Sequence, residues 1–194
     1  NLIVIGVKDS TLFTVENLNA WNNLSDHFKT YDAVESVVSI KDLPKLIKDT
    51  INQKFGLDKF IKDSISSPRD IDILKDELFN RYPFYDNFLF NNKTQTVRTA
   101  IFLKKDIVNT SARKDFIVNI LLPKTEAFET STNLDVRISG MPYIRTINAQ
   151  NIVDEIGLFI IAALAVTSLI FFCFFRSFRA TFISLIVVCI GVMW

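Results

Sequence analysis

The chain has 194 residues, of which 49% are hydrophobic, and 22 Lys and Arg against 21 Asp and Glu leave a formal net charge of +1. Near-neutrality without a run of basic residues excludes nucleic acid as the natural partner, because phosphate binding draws on a basic stripe. One histidine and two cysteines give no pair with zinc-ligand spacing, and the acid-rich part has no cysteine from which to build a disulfide framework.

The charges divide the chain. Every Asp and Glu precedes Gly157, and beyond it only Arg176 and Arg179 are charged. Residues 1–150 therefore read as a water-soluble domain and residues 151–194 as a membrane region. The chain opens in a strand-like run and stops within an apolar one, so it is expected to be an internal fragment of a longer protein. Its richness in Phe, Ile, Asn and Lys hints at a bacterial, AT-rich genome.

In chain order, Leu2 to Val7 (LIVIGV) reads as a largely buried strand. Val15 to Tyr31 carries Leu18, Trp21, Leu24, Phe28 and Tyr31 at three- and four-residue steps, an amphipathic helix with Thr14 as N-cap. Ala33 to Ile40 reads as a second strand. A helical insertion is expected over about 41–93. Its first helix is marked by Leu43, Leu46, Ile47 and Ile51, and its second starts at Ser67-Pro68 with Ile71, Leu74, Leu78 and Phe79 on one face. RYPFYDNFLF closes the insertion. Its Tyr82, Phe84, Tyr85, Phe88 and Phe90 either cover the insertion's own core or form an apolar wall for a greasy substrate.

Thr96 to Leu103 is expected as a strand. A helix follows from Ser111 to about Phe128, interrupted near Leu122 by Pro123. Leu134 to Ile138 alternates as a half-buried strand. The order β-α-β, insertion, β-α-β is the split pattern of a ferredoxin-like α+β sandwich.

Ile156 to Phe175 is a 20-residue run without a charge, long enough to cross a bilayer as a helix. Arg176, Ser177 and Arg179 then form a tight turn (176–179), and 180–194 starts a second span, which makes a transmembrane hairpin. Short basic turns favour the cytoplasm, so the turn places residues 1–150 outside the cytoplasmic membrane, in a periplasm where one exists. Neither span holds an Asp, Glu, Lys or His, so any proton relay lies in other helices.

Catalytic chemistry is not legible. His27 is expected on the polar side of the first helix as a solvated residue. No glycine loop resembles a phosphate cradle, no G-x-S-x-G elbow is present, and no two carboxylates are singled out for acid–base work. The chain is therefore read as a non-enzyme without catalytic, cofactor-binding or metal-binding residues, and no cofactor is expected.

SGMPYIRT followed by a span and FFRSFRATFISLIVVCIGVMW resembles the region from the second to the third membrane helix of RND superfamily transporters. It is most similar to the MMPL-type or predicted-exporter branch. The residues carrying the resemblance are Gly140, Pro142, Tyr143, Phe175, Arg176, Ser177, Phe178 and Arg179. It implies a proton-motive-force-driven exporter of lipid or other hydrophobic substrates, with 1–150 as a ferredoxin-like porter domain. Its partners would be membrane lipid and a hydrophobic substrate; related exporters differ in oligomeric state, which leaves a homo-oligomer open. Gly140, Pro142 and Tyr143, in a joint running from Ser139 to Glu155, would couple that domain to the second helix. Two alternatives remain: a membrane-anchored extracytoplasmic ligand sensor, and a protein-export accessory of the same superfamily.

Overall fold

The computed structural model describes residues 1–49, 54–61, 65–81 and 86–193. The protein is α+β and divides into two compact units, Asn1–Thr146 and Ile147–Trp194.

The first unit is built on an antiparallel sheet. Its strands are β1 (Leu2–Lys8), β2 (Val34–Val38), β6 (Thr96–Leu103) and β7 (Val136–Ser139), in the spatial order β2-β6-β1-β7. The short β5 (Phe90–Asn91) shares the β2 side of β6, pairing with Val97 and Thr96. Register follows from period two. Ile3, Ile5 and Val7 lie beside Ile101, Thr99 and Val97, and all six are fully buried on one face. The intervening residues Leu2, Val4, Gly6 and Lys8 therefore share the opposite face with Phe102, Ala100, Arg98 and Thr96.

Helices cover the first of these faces. In α1 (Val15–Phe28) the Thr14 hydroxyl accepts from the Asn17 N–H at 3.3 Å, the expected N-cap. The helix buries Leu18, Trp21, Leu24 and Phe28. Trp21 meets Phe128 edge-on at 5.4 Å, and Phe28 meets Phe116 at 6.3 Å. Between helix and sheet, the Ser25 and Thr99 hydroxyls bond to each other at 3.0 Å, so neither is left unsatisfied in the core. His27 is not simply solvated: its Nε2 lies 2.9 Å from the Tyr31 hydroxyl one turn on.

Pro123 does not break its helix. The chain runs as α3 (Ser111–Phe116), one π turn (Ile117–Leu121) and α4 (Leu122–Thr132). Proline has no N–H to donate back along the helix. The turn before it widens instead, and the Leu122 N–H reaches back five residues to the Ile117 carbonyl. Asn133, at φ 56°, ends α4 in the left-handed region.

The insertion departs from expectation. In place of the helix expected from Leu43, Leu46, Ile47 and Ile51, β3 (Pro44–Asp49) and β4 (Lys54–Lys59) pair as a separate antiparallel two-stranded sheet, with Leu46 opposite Leu57. A short apolar run fits both periods, and the choice is made by the partner strand, which local spacing does not contain. Ile51 lies outside the described residues. The second helix is as read: α2 (Pro68–Asp76) has Ser67 and Asp70 in a reciprocal capping box and Pro68 in its first turn. It continues through a π turn at Glu77–Arg81. The insertion is thus mixed rather than helical.

An ion network ties the end of α1 to the segment after β2. Lys29 bonds Asp26 at 2.8 Å and Asp42 at 2.7 Å, and Lys41 bonds Asp26 at 2.6 Å. Partial burial pushes the Asp26 carboxyl up, but the bonds from Lys29 and Lys41 outweigh it and hold it below the ordinary carboxylate range. A depressed carboxyl stabilises the fold above its unfolded pKa and loses that contribution as pH falls through its folded value. Wild type is therefore expected to lose more stability than Asp26→Asn between about pH 5 and about pH 2. Urea melts at both pH values check this; parallel losses would contradict it. The difference is small, because the carboxylate is 37% exposed and solvent screens the pair.

Two further helices complete the chain. The helix α5 runs from Met141 to Phe175, 35 residues, and α6 from Phe178 to Met193. The expected joint of Ser139 to Glu155 is therefore helical from Met141 onward. Residues 141–155 contain no glycine, and their one proline, Pro142, sits in the first turn, where no hydrogen bond is lost.

Candidate functional site

Three groups of residues carry the functional expectations, and the structure treats them differently. Of the aromatic group, Tyr82, Phe84 and Tyr85 lie outside the described residues. Phe90 is fully buried in β5 and meets Phe79 edge-on at 5.5 Å; Phe79 in turn meets Phe13 at 5.7 Å. Phe90 is thus a core residue and no part of a substrate wall. Phe88 is 61% exposed and the only one of the five whose described side chain is open to a ligand. Asn87 separates their fates: at φ 67° it turns the chain so that Leu89 and Phe90 go inward and Phe88 outward.

At the junction, Gly140 stands at φ +125°, and a Cβ there would sit 2.3 Å from the Leu2 carbonyl oxygen and 2.9 Å from the Ile3 Cα. Glycine is required twice, by its backbone angle and by the close passage of β1. The carbonyl of Gly140 accepts from the Ile144 N–H at 3.0 Å and so opens α5. Pro142 is buried, and its carbonyl accepts from the Thr146 hydroxyl at 2.9 Å. Tyr143 is half-buried against the core.

Sequence reasoning missed the residue that holds this turn. Arg113 of α3 donates from Nε to the Thr146 hydroxyl at 3.1 Å and from an Nη to the Val108 carbonyl at 2.7 Å. Thr146 is 2% exposed. Arg113 and Thr146 are 33 residues apart, and no local pattern marks either as a partner of the other.

The third group is the basic turn. The α5 ladder ends where the Arg176 N–H bonds the Phe172 carbonyl at 2.9 Å, with Arg176 in the left-handed region at φ 48°. The Ser177 carbonyl then accepts from the N–H and hydroxyl of Thr181, at 3.2 and 3.0 Å, and starts α6. The turn is tighter than read from the sequence: Arg179 is already inside α6, and only Arg176 and Ser177 lie between the helices. Across it, the Phe172 and Phe178 rings sit 4.5 Å apart.

No protein-family model, no curated protein and no solved structure matches the chain. What the molecule does must therefore be argued from its own chemistry.

The dominant chemical fact is unburied hydrocarbon. Met141–Phe174 contains an 18-residue window of mean hydropathy 2.7 with no residue of it buried. Phe159, Ile161 and Phe174 are 70, 72 and 82% exposed. Soluble proteins rarely leave contiguous apolar patches beyond a few hundred Å² to water. The helix is long and apolar enough to cross a membrane; α6 as described has 16 residues, short of the roughly 20 that span a hydrocarbon core. Among the described residues no group of three or more His, Cys, Asp and Glu could hold a metal ion.

Arg176 gives a test of the turn. Glycine adopts φ 48° without the steric cost an arginine bears there. Relief of the left-handed cost, about 1–2 kcal/mol, outweighs the extra chain entropy of glycine, about 0.5–1 kcal/mol, so Arg176→Gly is expected to stabilise the detergent-solubilised chain slightly. It also removes half of the positive charge that favours a cytoplasmic turn. Helical CD melts against cysteine-accessibility of the turn would separate the two effects. A destabilised variant would mean that the arginine side chain holds the turn itself.

Proposed function

We propose that the protein is part of an RND-type, MMPL-like exporter that moves lipid or other hydrophobic substrates, driven by the proton-motive force. The first unit is then an extracytoplasmic porter-like domain. Its antiparallel order β2-β6-β1-β7, with a helix in each crossover, supports a ferredoxin-like reading with an insertion between the two halves. The observation that carries the proposal is the 18-residue apolar window of α5, none of it buried, and the two-residue basic bend that leads from that helix into a second apolar one. A sensor would be expected to continue from its span into a cytoplasmic signalling domain; the immediate return into apolar sequence favours a multi-span protein.

On this reading α5 crosses towards the cytoplasm, and Arg176 and Arg179 lie at the headgroups there. Phe88 is the described side chain placed to meet an apolar substrate. The test has two arms in cells expressing the full-length protein. A Ser177→Cys variant should resist a membrane-impermeant maleimide until the cells are opened, while a cysteine at Phe88 should label from outside. Hydrophobic substrate should also accumulate in cells whose protein is deleted. Outside labelling at Ser177 would reverse the topology and remove the exporter reading.

A further inference from the structure

The open face of the sheet carries a feature that the transporter reading does not use. Val4, Gly6 and Lys8 of β1, Thr96 and Arg98 of β6, and Arg137 and Ser139 of β7 line a cleft of about 240 Å³. Gly6 is the centre of it. Arg98 is its register partner on one side and Arg137 on the other. Paired Cα atoms in antiparallel strands lie about 4.5–5.5 Å apart, so the two arginines stand one strand to either side of a position without a side chain. Lys8 lies two residues further along the same face.

The cations are poorly matched within the protein. Arg98 is half-buried, and its recorded bond is from an Nη to the Asn87 carbonyl at 2.8 Å, which orients the guanidinium but leaves its charge unbalanced. Among the described residues neither Arg98 nor Lys8 has a carboxylate partner. Arg137 reaches Asp135 at 3.3 Å, with both side chains 78% exposed, a pair that solvent largely screens. Thr96 and Ser139 add hydroxyl donors, and no carboxylate lines the cleft. A Cβ at Gly6 would crowd the Arg98 Cγ at 3.3 Å, so the glycine also lets Arg98 lie across the strand.

The geometry points to an anion site: Arg98, Arg137 and Lys8, set around the Gly6 gap, bind a phosphate-bearing ligand. Two planar guanidinium forks suit the oxygens of a phosphate, which accept paired N–H bonds. The chemistry is shared by a free phosphate and by the headgroup of a phospholipid. The inference stands without the exporter reading, since it rests on the first unit alone.

The test uses the full chain in a non-ionic, phosphate-free detergent. Inorganic phosphate is titrated against the melting temperature, with sodium chloride at matched ionic strength as the reference. A ligand that binds only the folded state raises the melting temperature in a saturable way. Phosphate should do so and chloride should not. Arg137→Gln, on an exposed strand, should fold normally and weaken the apparent phosphate affinity about tenfold or more. Arg98→Gln should weaken it likewise, and Lys124→Gln, on α4, should leave it unchanged. Short-chain phosphatidic acid below its micellar concentration distinguishes the sources. Tighter binding than phosphate, with phosphate competing, assigns the cleft to a lipid headgroup; equal affinity assigns it to free phosphate. Either result supports the site. A phosphate response no different from chloride, or one that Arg137→Gln leaves intact, overturns it.

Discussion

Gly140→Val is expected to prevent the first unit from folding stably, whatever the protein's activity. The valine would need φ +125°, and its Cβ would lie 2.3 Å from a backbone oxygen of β1. The left-handed angle costs on the order of 1–3 kcal/mol for a side-chain-bearing residue. The clash is with backbone in the middle of a sheet, which cannot move aside as a flexible side chain would. Together they should exceed about 3 kcal/mol, a large share of the 5–15 kcal/mol that holds a domain folded. Gly157 is the internal control: nothing lies within 4 Å of a Cβ built there, so Gly157→Ala should be neutral or slightly stabilising. Thermal melts and purified yield of both variants check the pair. A Gly140→Val protein with wild-type stability would show that β1 does not pass where the structure places it. The same geometry limits what Gly140 can reveal about function: lost export in such a variant would report misfolding, not lost coupling. Arg113 and Thr146 are better probes of the junction, because their bond fixes the first turns of α5 without filling the sheet.

Ala165→Asp should have the second large effect, on the other unit. Ala165 is the tenth of the 20 uncharged residues from Ile156 to Phe175. If lipid surrounds α5, a carboxylate at that depth costs about 2.5–3.5 kcal/mol of insertion free energy. The variant should shift markedly from the membrane pellet to the soluble or degraded fraction, with the first unit's core unaffected. Asn148→Asp, in the polar stretch of the same helix, should partition as wild type. Equal membrane recovery of all three proteins would place α5 against protein or water rather than lipid.

Much of the first unit was legible because its signals are local. β6 was read at its true bounds, since eight residues of TVRTAIFL fit no other template. Thr14 and Ser67 announced their helices through side chains that bond the backbone three residues on. Pro123 was correctly seen as a disturbance. That it would widen one turn rather than break the helix depended on Ile117, Leu121 and Phe128 being worth burying on both sides of it. The β3–β4 pair was missed because a hairpin is decided by its partner strand. Phe90 stays open between core and ligand wall in the sequence, because an aromatic cluster looks the same whether it faces a core or a cavity; its burial decides for the core. Arg113, and the pairing of Arg98 with Arg137 about Gly6, were invisible because register across strands is nowhere written in a linear spacing.

The sequence alone determined where the acidic residues end, the apolar length of α5, and the two arginines that follow it. These are sums over neighbouring residues, and no packing can alter them. Only the tertiary structure decided that Gly140 lies against the Leu2 carbonyl, that Thr146 is held by Arg113, and that three cations share one sheet face. Each of those joins residues far apart in the chain, and strand pairing brings them together because it buries Ile3, Ile5 and Val7 under the helices.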